Sequence, residues 1–173
     1  MEKGTKVDDI PVVRKRLGQA GIKACFFLQF GYPGETYEDI MATIDLVRDT
    51  MPDDIGVSVS YPLKGTKFHD RVQHELGKKD HWDDSNDLDM MFQGPYQTPF
   101  YRQLHTLLHQ DLTLRWRARA GAANDPGSLA RETRELEAAW AQWRASEPAQ
   151  LNPHATVLPA LAGAAPVASI TRT

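Results

Sequence analysis

The sequence predicts an α/β protein built on parallel strands. Helical and strand-like segments alternate along the first half, which implies parallel pairing through right-handed crossovers. The run Ala24 to Leu28 is continuously apolar, as expected of a strand covered on both faces. That run ends in a Gly/Pro-rich turn, Gly31-Tyr32-Pro33-Gly34, followed by Thr36 and a helical pattern. A loop of this kind lies at the carboxyl end of a strand, where open α/β sheets and β/α barrels bind their ligands.

Residues 8 to 20 read as a helix. Asp8 or Asp9 can cap it, Pro11 is tolerable in its first turn, and Ile10, Val13, Leu17 and Ala20 share a face. Gly18 weakens it and Gly21 suits its stop. Residues 22 to 30 read as a strand. Thr36 caps the next helix, with Asp39 favoured in the first turn and Ile40, Ile44, Val47 and Met51 as the buried stripe; Pro52 ends it. Residues 55 to 61 read as a second strand. Ile55, Val57, Val59 and Tyr61 face one way, and the small residues Gly56, Ser58 and Ser60 face the other, which suits a crowded interior or a nearby ligand. Thr66 caps a short helix carrying Phe68, Val72 and Leu76.

Residues 78 to 97 are polar and irregular, with Trp82, Met90, Met91 and Phe92 as anchors. Thr98-Pro99 opens a helix to about Ala120 carrying Phe100, Leu104, Leu107, Leu108 and Leu112. Residues 121 to 127 are a linker, and 129 to 145 a last amphipathic helix with Leu136, Trp140 and Trp143. The Ala/Pro-rich residues 147 to 173 show no periodicity and read as disordered. The organisation expected is a sheet segment over 1–77, a helical region over 78–146 and a tail over 147–173.

Composition sets outer bounds. The chain has 173 residues, 41% hydrophobic and 25% charged, with a net charge of −3. These values are ordinary for a soluble globular domain and give no electrostatic footprint for nucleic acid. No apolar run is long enough to span a bilayer, and the start lacks a signal-peptide core, so a cytoplasmic location is expected. Cys25 is the single cysteine. It rules out an intrachain disulfide and any cysteine-rich metal site made by this chain alone. Inside an apolar strand it is expected to be a buried, inert thiol.

Other chemistry-bearing residues have plain readings. Glu35 either contacts a polar ligand group or offsets the positive end of a helix. Gly31 and Gly34 permit the loop geometry, and close ligand approach is a second use of that freedom. His105 and His109, spaced i, i+4, share a helix face but lack an indicated third ligand, so they read as surface or interface residues. Asp80, Asp83, Asp84, Asp87 and Asp89 lack the Gly and closing Glu of a calcium loop and read as a solvated stretch. Trp140 and Trp143 read as core or docking surface.

Three blocks carry a family resemblance: Met1 to Val7 (MEKGTKV), Phe27 to Thr36 (FLQFGYPGET) and Pro52 to Phe68 (PDDIGVSVSYPLKGTKF). In this order and spacing they resemble the radical SAM superfamily, nearest to its cobalamin-binding-domain members of the anaerobic magnesium-protoporphyrin monomethyl ester cyclase type. The resemblance covers roughly residues 1 to 115. It implies the C-terminal portion of a partial (β/α)6 barrel, residues 22–30 being the fifth strand and 55–61 the sixth, followed by helices. It implies S-adenosylmethionine and a 4Fe–4S cluster as cofactors of the intact enzyme, with cobalamin on an upstream domain. By resemblance Leu28, Phe30, Gly31, Pro33, Gly34 and Glu35 line the adenine side, joined by Ser60, Tyr61 and Pro62 after the sixth strand.

The family's CxxxCxxC motif is absent, so the cluster must be held elsewhere. A chain starting just after the fourth strand, as a truncation, a split subunit or a frame-shifted product, accounts for this. The leading expectation is a radical SAM enzyme segment that supplies the adenine-side wall, is inactive alone, and meets a small-molecule substrate in the parent enzyme. Two parallel strands leave edges and faces open, so the missing barrel half or self-association is expected to complete them. The alternative is a non-catalytic interaction module that completes a barrel with a partner chain. A third option, a βα module for another nucleotide, has neither GxGxxG nor a P-loop Lys to support it.

Overall fold

The computed structural model describes residues 6–76, 88–121 and 126–156. Their order is α1 (Asp9–Gln19), β1 (Cys25–Phe30), α2 (Tyr37–Thr50), β2 (Asp54–Val59), α3 (Lys67–Val72) running into a 3-10 turn (Gln73–Glu75), α4 (Thr98–Arg119) and α5 (Pro126–Gln150). The chain is a mixed α/β protein with a two-stranded parallel sheet.

Local chemistry sets most boundaries. Thr36 and Asp39 form a reciprocal capping box: Thr36 Oγ1 accepts the Asp39 N–H at 3.2 Å, and Asp39 Oδ2 accepts the Thr36 N–H at 3.0 Å. Met51, at φ 47°, turns α2 out before Pro52. Thr66 caps α3 by accepting the His69 N–H at 3.2 Å. Asp8 stands at the start of α1 without a side-chain capping bond. Arg14 instead ties α1 down by donating to the Met51 carbonyl at 3.0 and 3.2 Å and pairing with Asp53 at 3.2 Å. No residue of α1 is buried, and Val13 is 49% exposed, so its apolar stripe has no full cover among the described residues.

The register runs from Cys25 opposite Asp54 to Phe30 opposite Val59. Side chains alternate across a strand. Phe26, Leu28 and Phe30 therefore share a face with Ile55, Val57 and Val59, and that face packs on the helices. Ile40, Ile44 and Val47 of α2, six residues of α4 from Phe100 to Leu112, and Leu136, Trp140 and Trp143 of α5 join it in the core. The opposite face carries Cys25, Phe27 and Gln29 beside Gly56 and Ser58. Phe27 is 77% exposed there, and Cys25 is exposed with it. Two expectations are corrected by this face. Among the described residues the apolar run is covered on one face rather than both, and Cys25 is exposed rather than a buried thiol. The physical reason is that all the described helices of the core lie on one side of the sheet.

A buried carboxylate joins the layers. Asp111 of α4 accepts from Arg48 of α2 at 2.6 and 2.9 Å and also from Arg115. The Arg48 guanidinium stacks over Trp140 of α5 at 5.0 Å. A second, smaller cluster of Val72, Leu76, Met91 and Phe92 lies beyond the carboxyl end of β2, with Tyr61, Phe68 and Met90 packed on it.

The C-terminal end departs from expectation. Helix α5 continues to Gln150 rather than ending near 145, with Pro148 inside it. Leu151 then pairs with Tyr96, the Asn152 N–H donates to the Pro95 carbonyl at 2.9 Å, and Thr156 Oγ1 donates to Glu75 at 2.6 Å. The irregular segment 93–97 has backbone groups that need partners, and this strap supplies them. Residues 157–173 of the expected tail lie outside the described residues, as do Trp82, Asp80, Asp83, Asp84 and Asp87; Asp89 pairs with Arg102 at 2.8 Å.

Candidate functional site: the strand-end loop and the open sheet face

Tyr32-Pro33-Gly34-Glu35 is a tight turn closed by the Glu35 N–H donating to the Tyr32 carbonyl at 2.9 Å. Pro at the second position and Gly34 at φ +88° at the third fit a type II turn. Gly31 precedes it at φ +76°, and here space as well as backbone demands glycine. A Cβ would lie 3.0 Å from Met90 Sδ and 3.4 Å from Tyr101 Cζ, whereas one on Gly34 would meet nothing within 4 Å.

Glu35 folds back under the loop. Its Oε2 accepts the Gly31 N–H at 2.8 Å and the Tyr101 O–H at 3.2 Å. Burial pushes its carboxyl up to about 7, against the lowering effect of those two bonds; the Asp39 charge adds to the rise. Burial and the neighbouring Glu35 raise the Tyr101 phenol above its usual value. Glu35 thus closes the loop onto α4 by a half-buried carboxyl rather than standing free at the helix start. Over the loop, Tyr32 tilts on Phe68 at 5.3 Å, and Phe68 meets Phe92 edge-on at 5.2 Å.

The residues singled out from the sequence fall into three places. Gly31, Pro33, Gly34 and Glu35 share the loop. Leu28 and Phe30 point into the helical core, away from the open face. Ser60 is 1% exposed at the end of β2, its N–H donating to the Phe30 carbonyl at 2.7 Å and its Oγ buried without a hydrogen-bond partner. Tyr61 packs on the small second cluster, and Pro62 beside it is buried.

Sequence reasoning missed Phe27 and Gln29 on the open face and Tyr101 against Glu35. The alternation of Gly56, Ser58 and Ser60 was the available signal for that face, but only the pairing register shows that Phe27 and Gln29 lie on it. Phe27 lies across Gly56: a Cβ there would sit 3.1 Å from the Phe27 ring. The His105 and His109 rings stand 4.5 Å apart on α4.

Two clefts lie elsewhere. One of about 270 Å³ runs between Arg14, Lys15, Met51 and Arg119, and one of about 370 Å³ runs between α4 and α5 beside Thr106, Gln142 and Trp143. Among the described residues no helix is long and apolar enough to cross a membrane. No protein-family model, curated protein or solved structure matches this chain.

Proposed function

We propose that the chain is part of a radical SAM enzyme, contributing the adenine-side wall of its barrel. The observation that carries the reading is the sheet itself. Its two strands are parallel, and among the described residues the helices cover one face and leave the other open with an exposed Phe27. Adjacent βα units of a barrel have parallel strands with helices on the outer face, so this arrangement supports the reading. The three sequence blocks add to it.

The implied groups fit unequally. A 4Fe–4S cluster does not fit this chain, because ligation by thiolates needs several cysteines and Cys25 is alone. The cluster would be held by another part of the enzyme, and cobalamin would belong to another domain. An adenosyl group fits the open face better. Phe27 offers a flat apolar surface, Gln29 an amide and Ser58 a hydroxyl, while Gly56 leaves the ring room to lie flat. Bound in a complete enzyme, S-adenosylmethionine supplies the 5′-deoxyadenosyl radical. The residues of this chain would orient the adenine and exclude water from one side.

A second reading rests on the same exposed Phe27: a non-catalytic module whose open face docks on a partner chain. Titration of isotope-labelled protein with S-adenosylhomocysteine, read by amide chemical shifts, separates the two. The enzyme reading expects shifts at Phe27, Gln29, Gly56 and Ser58, with millimolar affinity, about 4 kcal/mol, for a half-built site. Phe27→Ala should abolish them. Absence of shifts at these four residues refutes the assignment and leaves the docking module.

A further inference from the structure

Two phenol–carboxylate pairs lie in series under the strand-end loop. In the first, Tyr101 donates to Glu35 Oε2 at 3.2 Å. In the second, Tyr96 donates to Glu147 Oε1 at 2.7 Å. The two tyrosine rings stand edge-on with centroids 6.1 Å apart. The Tyr101 hydroxyl thus directs its proton at Glu35. Tyr101 is 1% exposed, so its ring is shielded from water. Beyond the pair, Phe100 stacks on Trp143 at 4.6 Å, and Trp143 meets Trp140 at 5.4 Å.

We propose that Tyr101 is a redox-active tyrosine, giving one electron to an outer-sphere one-electron oxidant while its phenolic proton passes to Glu35. The O–H bond of Tyr101 breaks. The electron reduces the oxidant by one unit, the proton bonds to Glu35 Oε2, and a neutral phenoxyl radical remains beside a neutral carboxylic acid. Return of one electron and the proton restores both groups. Transfer onward follows the same balance: Tyr96 loses its electron to the Tyr101 radical and its proton to Glu147, while Glu35 returns its proton to Tyr101.

The geometry makes this coupling necessary as well as available. A buried phenol whose ionisation is disfavoured does not lose its proton first, and a phenol radical cation is so strong an acid that it gives its proton to the Glu35 carboxylate it already hydrogen-bonds. Glu35 is an acceptor within hydrogen-bond reach, as a proton-accepting base must be. Its titration near neutrality places it between accepting and releasing that proton. The groups acting on the two pairs are Asp39 and Glu38 of α2, Tyr96 ahead of α4, and Glu147 of α5, and on α5 Arg144 acts together with Glu147 on the neighbouring Tyr37 of α2. This inference does not depend on the radical-enzyme reading.

The test is flash-quench oxidation of the whole chain with photogenerated tris(bipyridine)ruthenium(III), followed by freezing and electron paramagnetic resonance. A neutral tyrosyl radical is expected, with a yield that rises with pH through about 7 as Glu35 becomes a carboxylate. Glu35→Gln keeps an acceptor oxygen for the Tyr101 hydroxyl but cannot take its proton, so the folded variant should lose the radical. Tyr101→Phe should lose it too, and Tyr96→Phe should lengthen its lifetime. If Tyr101→Phe fails to fold, the pH profile of the wild-type yield still decides. A yield flat across that range, an undiminished radical in folded Glu35→Gln, or a radical confined to the exposed Tyr32 overturns the proposal.

Discussion

Replacing Glu35 by Gln should make the protein more stable above neutral pH, although it removes a charged group that accepts two hydrogen bonds. The carboxyl rises from 4.5 to about 7 on folding, chiefly because burial disfavours its charge. A raised folded-state value means that the folded chain holds this proton more tightly than the unfolded one. The contribution is therefore fully present below the unfolded value and is lost as pH rises through about 7. At 1.36 kcal/mol per unit the loss across this window is about 3 kcal/mol. Gln cannot ionise, and its weaker bonds to Gly31 and Tyr101 cost about 1 kcal/mol at every pH. The wild type should be the more stable at about pH 5, and Glu35→Gln by about 2 kcal/mol at about pH 8. Urea unfolding followed by tryptophan fluorescence and circular dichroism measures both. The difference between wild type and variant cancels the histidines, which titrate in the same window. If the two curves run parallel from about pH 5 to pH 8, or if the variant is the less stable throughout, Glu35 is not a buried carboxyl and the reasoning fails.

Other outcomes follow from the same geometry. Gly34→Ala should cost about 1 kcal/mol, the strain of a left-handed residue alone. Gly31→Ala should cost more, because its Cβ also meets Met90, and Met90→Ala should restore part of that excess; equal losses in thermal unfolding would contradict the packing described. Asp111→Ala should destabilise the chain by about 2–3 kcal/mol by removing the close carboxylate from the partly buried Arg48 and leaving it only the exposed Asp45 at 3.8 Å, read by urea unfolding. Cys25 should react with Ellman's reagent in the native protein as fast as in urea, and a protected native thiol would show the open face to be covered. Phe27→Asp should reduce self-association in light scattering without lowering the unfolding midpoint, since the ring is exposed.

The sequence was sufficient wherever neighbours along the chain decide the outcome. The Thr36 and Thr66 caps, the Gly/Pro turn and the stop at Pro52 are interactions within a few residues, and each is legible from residue type and spacing. So are the apolar stripes of α2 and α4, because a helix repeats its own face without reference to anything else. The candidate loop was legible for the same reason.

Tertiary structure decided what depends on segments far apart. The run from Cys25 to Phe30 reads the same whether one face or both are covered, and only pairing with β2 and the one-sided placement of the helices exposes Cys25 and Phe27. Leu28 and Phe30 turn toward the core by the parity of that pairing, which composition does not encode. Tyr101 meets Glu35 across 66 positions, and the strap from Leu151 to Thr156 becomes ordered by bonds to residues 75 and 93–97. Such contacts depend on how whole elements pack, and no local spacing in the sequence reports them.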